Sequence, residues 1–238
     1  MKTTNIILAI SAALILSGCM NLYPGKKGNG NVVTEDRNVS ENFTEVKASA
    51  GMDVFLTEGS ENKIVVEADE NLLSMITTEV RDGKLEITST GNIGFYKSKK
   101  VHVTYVELNN IEASSGAEIV GNSVIRSERL SLKSNSGAEI KVEVFSKELS
   151  AKASSGADIE VSGKASSFTA EASSGSELDA KKLFTINCIA KASSGADISV
   201  NVKERLETQV SSGGDISYYG NPVSVDSNKS NSGSVRKK

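Results

Sequence analysis

Seven carboxylates recur at one offset from a repeated glycine. Asp53, Glu118, Glu139, Asp158, Glu177, Asp197 and Asp215 each stand two residues after Gly51, Gly116, Gly137, Gly156, Gly175, Gly195 and Gly213. Side chains at one offset form a column when repeats stack, and a carboxylate column offers chemistry for divalent cations or a cationic partner. Oxygen ligands suit Ca²⁺ rather than Zn²⁺, yet each copy supplies one carboxylate where a closed Ca²⁺ site takes about six to eight oxygens. The Gly-Gly-x-Gly-x-Asp nonapeptide of Ca²⁺-binding β-rolls is also missing. Carboxylates roughly 5 Å apart repel by about 0.8 kcal/mol in water and about 3 kcal/mol at an effective dielectric near 20. Such a column belongs outside. It reads first as a solvated acidic stripe, relieved by Lys133, Lys152 and Lys191 four residues before their glycines. The sharper alternative is weak cation or cationic-partner binding along its length. No metal ligands are assigned and no cofactor is expected.

The remaining reactive side chains are few. Leu16-Ser17-Gly18-Cys19 resembles a bacterial lipobox, in which the cysteine is acylated and becomes the mature N-terminus. Before it lie Lys2 and the apolar run Ile6 to Leu16, too short for a bilayer-spanning helix, which needs about 20 residues. Residues 1–18 therefore read as a signal peptide, and several acyl chains on Cys19 would anchor the protein stably to a membrane. Residues 19–30, rich in Gly, Asn and Lys, read as a flexible tether. Met20, in place of the Asp that commonly retains lipoproteins at an inner membrane, favours the outer membrane, with either face open. Cys188 has no cysteine partner once Cys19 carries lipid, and His102 sits in an alternating stretch as a solvent-facing strand residue.

A repeat positions all of these. EASSGAEI (112–119), KSNSGAEI (133–140), KASSGADI (152–159), EASSGSEL (171–178), KASSGADI (191–198) and QVSSGGDI (209–216) share one phrase. A worn copy stands at 229–235 and an early relative at 47–54. From Gly116 to Gly233 the glycines are 21, 19, 19, 20, 18 and 20 residues apart. Apolar residues alternate around each one. Seven before lie Leu130, Leu149, Phe168, Cys188 and Leu206; three after lie Val54, Ile119, Ile140, Ile159, Leu178, Ile198 and Ile216. Period 2 means strands with one buried face, and it makes Cys188 a core residue.

Strands recurring every ~20 residues without hairpin pairs predict a parallel β-helix with one coil per repeat. Such a coil has a perimeter near 65 Å, enough for three short strands and three bends. Glycine supplies positive φ at the bend, and the preceding serines can satisfy its backbone groups. A propeller blade needs about 40 residues, twice this period. Residues 31–110 alternate without the phrase and are expected to form less regular early coils over one end. They include a hairpin signal at Asp82-Gly83 and a short helical turn at Asp69–Met75. Residues 31–238 then form one solenoid, regular over 111–236, with the polar tail from Asp226 closing the other end.

Residues 43–88, the SSGA(D/E) phrases, GGDISYYGNP (213–222) and SGSV (232–235) together resemble the head GIN domain family of putative auto-transporter adhesins, found largely in lipoproteins and secreted proteins of Bacteroidota. The resemblance covers about residues 31–236. It implies an all-β, right-handed parallel β-helix and brings no catalytic residues.

Composition points the same way. A single His, no Trp and a formal charge of −3 leave little for His-based catalysis, and no concentrated basic face for nucleic acid. The leading expectation is a non-catalytic, adhesin-like envelope lipoprotein that binds a protein or glycan through repetitive polar ladders. A β-helix polysaccharide lyase or hydrolase is the alternative, but coils of 18–21 residues leave no room for substrate-walling loops. A purely structural envelope protein is the third reading.

Overall fold

Each Ser-Ser-Gly phrase makes the same corner. In the computed structural model, which describes residues 25–39, 41–229 and 232–238, the second serine and the glycine are both left-handed. Ser115, Ser136, Ser155, Ser174, Ser194 and Ser212 have φ of 50–57°, and the glycines after them 68–76°. The next residue closes the turn, as where the Ala117 N–H donates to the Ser114 carbonyl at 3.2 Å. Two successive positive φ values with that bond define a type I′ turn, usually a hairpin device. Here it is a corner between two arms of one coil. The glycine N–H donates to the carbonyl of the left-handed serine in the next coil, from Gly116→Ser136 to Gly195→Ser212, at 3.1 Å each time. Backbone groups, rather than the expected serine hydroxyls, therefore tie the corners together.

The arms stack as the alternation requires. Ile125–Asn135, Glu139–Ser154, Asp158–Ser173, Glu177–Ser193 and Asp197–Val210 pair in parallel, each with the next. Leu130, Leu149, Phe168, Cys188 and Leu206 form one buried ladder, and Ile119, Ile140, Ile159, Leu178, Ile198 and Ile216 another. The result is a parallel β-solenoid of about 7 turns, with about 19 residues per turn. Unequal spacing is absorbed away from the glycine corner, where register shifts fall at Glu160/Gly163, Ala180/Phe184 and Thr185/Asn187. The flanks of the Ser-Ser-Gly turn hold register throughout.

The N-terminal third is irregular, as expected, but its coils do not stack in chain order. Glu45–Ala48 pairs in parallel with both Lys84–Ser89 and Asn110–Ala113. Asp53–Glu58 pairs likewise with both Lys99–Tyr105 and Glu118–Gly121. One coil thus lies between two that follow it in the chain. Antiparallel strands cover the end. Lys63–Asp69 runs against Lys99–Tyr105, Val32–Arg37 against Lys63–Asp69, and Ile76–Arg81 against Lys84–Ser89 through the Asp82-Gly83 turn. The short helix is 3-10, Glu70–Met75, with Leu72 buried. Alternation identifies a strand but carries no information on its partner, which is why the order was not legible.

Residues 25–30, expected within the flexible tether, are tied to this end. Lys26 N–H donates to the Asn92 carbonyl at 2.9 Å, and Gly28 N–H to Phe95 at 2.8 Å. Buried Asp69 accepts from the backbone N–H of Gly30, Lys97 and Ser98 at 2.8–3.0 Å. These donors hold its carboxyl below the usual carboxylate range. At the other end, the polar tail adds a rung instead of folding over the opening. Ser224–Lys229 pairs with the Asp197–Val210 strand and Ser234–Lys237 with Asp215–Tyr219, both in parallel. The free edge then carries Arg236 and Lys237, charges that discourage edge-to-edge pairing.

Candidate functional site

The in-register arms put the seven carboxylates into one column. Asp53, Glu118, Glu139, Asp158, Glu177, Asp197 and Asp215 are direct neighbours in consecutive coils. Glu118 to Asp197 are exposed; Asp53 and Asp215 are partly covered. The column ends against Lys100 beside Asp53 and Ser234 beside Asp215, whose carboxylate accepts the Ser234 hydroxyl. Burial raises the Asp53 carboxyl above its ordinary range although Lys99 and Lys100 pull it down. Burial also raises Glu118, with Glu139 and Asp53 adding repulsion. A raised carboxyl favours folding while protonated and loses that contribution as pH rises through its folded value. Glu118→Gln should therefore raise the melting temperature slightly at pH 7, with the gain vanishing below pH 4.5, the ordinary glutamate value. An equal gain at pH 3.5 would contradict this account.

The lysines expected to relieve this column stand on a different one. Glu86, Lys47, Glu112, Lys133, Lys152, Glu171 and Lys191 form a separate column. Within it Lys152 and Lys191 both pair with Glu171, at 3.7 and 3.2 Å. Beside Glu118 and Glu139 the nearby cation is instead Lys141, which pairs with Glu160 at 2.7 Å and is held above its usual range by that contact. Among the described residues, no group of three or more His, Cys, Asp or Glu side chains converges as a metal site.

Cys188 is 2% exposed, and burial pushes its thiol up to about 12, so it stays an unreactive core group. His102 is partly exposed and stacks on Phe55 with ring centroids 5.4 Å apart, its Nε2 3.6 Å from Glu67. Cys19 lies outside the described residues.

A third outward column was not singled out from sequence. Arg126, Phe145, Lys164, Phe184, Asn201 and Tyr219 are neighbours in consecutive coils. Phe145 is 55% exposed and Phe184 61%. The Arg126 guanidinium lies over the Phe145 ring, 6.0 Å from its centroid. Beside the column runs a groove of about 540 Å³, floored by Ala165 and Val202 and edged by Ile186, Asn201 and Asn221. The signal was present in the alternation: both phenylalanines occupy outward positions where other coils carry polar residues.

The chain matches a family model described as "Putative auto-transporter adhesin, head GIN domain" over residues 42–222. No curated protein matches it. Among solved structures it is similar to a putative adhesin from Bacteroides fragilis NCTC 9343, with 18% identity, 90% of this chain and 100% of that one covered, and a TM-score of 0.84. A putative lipid binding protein from Parabacteroides distasonis ATCC 8503 is 20% identical over 90% and 99% of the two chains, with a TM-score of 0.73. A putative adhesin from Parabacteroides merdae ATCC 43184 is 21% identical over 90% and 99%, with a TM-score of 0.70. Identities this low speak for the fold alone.

Proposed function

The chain belongs to the putative auto-transporter adhesin, head GIN domain family, and from that premise we propose that it is a non-catalytic, lipid-anchored binding module of the cell envelope. The observation that carries the reading is the unbroken stack of near-equal coils. It displays outward side chains as columns, so any one chemical contact repeats about every 4.8 Å along the axis. A repeating surface suits a repeating or extended partner, a protein or a glycan, because weak contacts add along its length. A lipid at Cys19, with the outer membrane as its destination, would hold this surface at the envelope.

Adhesion is tested by displaying the full chain on non-adherent cells and measuring retention on protein-coated and polysaccharide-coated surfaces. Retention on at least one coating above an empty-display control is expected; retention on none overturns the binding role. Incubation of the full chain with envelope and host glycans is expected to release no new reducing ends or unsaturated products. Their appearance would make it an enzyme. For the anchor, palmitate labelling should mark the wild type and vanish in Cys19→Ala; an unlabelled wild type removes the anchor from the proposal.

A further inference from the structure

We infer that the Arg126–Phe145–Lys164–Phe184 column, with the groove beside it, binds an acidic polysaccharide. The inference rests on the adhesin-like reading above and names its partner and its site.

Exposed aromatics come first. Two phenylalanine rings more than half exposed on one column form an apolar patch of the kind that marks an interaction surface. They stand two rungs apart, about 9.6 Å at ~4.8 Å per rung. A linear partner lying along the solenoid axis therefore meets ring, cation and ring in order. Alternate sugars of an extended polysaccharide present equivalent apolar C–H faces, which suit ring platforms, while their hydroxyls and acid groups stay at the edges.

Charge selects the acidic class. Lys164 lies between the two rings and makes no ion pair among the described residues. Arg126 likewise makes none, contacting the Phe145 ring. The groove lining includes Lys164 and Lys203, the latter 3.8 Å from Glu204, and contains no Asp or Glu. Two cations without carboxylate partners, on a chain whose formal charge is −3, make a local positive site. Asn201, Asn221 and Ser166 edge the groove with neutral groups suited to hydroxyls. Its volume, about 540 Å³, falls in the range of ligand sites.

A peptide is less suited to this place. Extended peptides add to free strand edges, whereas Phe145, Lys164 and Phe184 lie on strands paired at these positions with a neighbour on both sides.

The test uses the full chain purified in detergent and measures binding to polygalacturonate, a carboxylate glycan, and heparin, a sulfated one. Neutral galactan, polyglutamate and phosphatidylglycerol vesicles are the comparison arms. Binding to one or both acidic glycans is expected, in preference to all three comparison arms; which of the two is bound separates carboxylate from sulfate recognition. Phe145→Ala/Phe184→Ala should weaken it at least about tenfold, as loss of central aromatic anchors does. Lys164→Gln should weaken it and reduce its salt dependence. Asp158→Asn/Glu177→Gln, on the carboxylate column, should leave it unchanged. Unaltered melting temperatures would show that the exposed-site variants remain folded.

Equal binding to polyglutamate, to galactan or to the vesicles overturns the inference, as does full affinity in both the double-phenylalanine variant and Lys164→Gln. If neither acidic glycan binds while displayed cells still adhere to a protein coating, the glycan site fails and the adhesin-like reading stands. Failure of every coating removes both.

Discussion

Ile159→Asp should unfold the solenoid or remove most of its stability. Ile159 is 1% exposed and stacks between Ile140 and Leu178. The substitution gives up the burial of an isoleucine side chain, about 1.5–3 kcal/mol. It also places a carboxyl among aliphatic neighbours, a further several kcal/mol unless the group protonates or the coil opens. Against a typical total of about 5–15 kcal/mol, the combined loss is decisive. The neighbouring Glu160→Ala should be nearly silent. Glu160 lies on the outer face, 2.7 Å from Lys141 and 3.6 Å from Lys182, and surface pairs contribute about 0–1 kcal/mol. Its hydrogen bond from Lys141 holds its carboxyl below the usual range. The pair's contribution is therefore present above pH 4.5 and fades as pH falls through the lower folded value. Denaturant midpoints check both variants. Equal losses would mean that inward and outward positions are assigned wrongly.

Gly163→Ala should cost about 3 kcal/mol or more, whereas Gly156→Ala should cost about 1 kcal/mol. Both glycines have positive φ, +105° and +68°. Their surroundings differ. A Cβ on Gly163 would sit 2.1 Å from the Val144 carbonyl oxygen, a backbone atom of the neighbouring coil that cannot swing aside. A Cβ on Gly156 meets nothing within 4 Å, so only the left-handed conformation itself is penalised. The repeat makes Gly156 look indispensable, and sequence gives no reason to notice Gly163. Thermal melting of the two variants separates these views, and a Gly156→Ala loss as large as that of Gly163→Ala would reject the packing argument.

The same contrast runs through the whole molecule. The alternation around Leu130, Leu149, Phe168, Cys188 and Leu206 identified the buried ladder because parity along a strand is a local rule. The Asp82-Gly83 hairpin and the left-handed glycine corners were legible for the same reason: φ preferences belong to a residue and its immediate neighbours. The acidic column was legible too, since the carboxylates keep a fixed distance from a corner that holds register.

Contacts between coils obey a different rule. Whether Lys152 meets Glu171 or the acidic column depends on which outward face each occupies and on the neighbouring coil, about 19 residues away. Arg126, Phe145, Lys164 and Phe184 each stand eleven residues before the glycine that follows, so their column could be counted out, whereas Asn201 joins it twelve residues before Gly213, past a register shift. At the N-terminal end, Glu45–Ala48 found its neighbours in Lys84–Ser89 and Asn110–Ala113, strands that come 36 or more residues later. Sequence by itself determined the coil, its corners and its inward face, because these follow from bonds and sterics within a few residues. Only the tertiary structure decided the order of the N-terminal coils and which outward side chains form ion pairs, because backbone pairing between strands is indifferent to the side chains that it brings together.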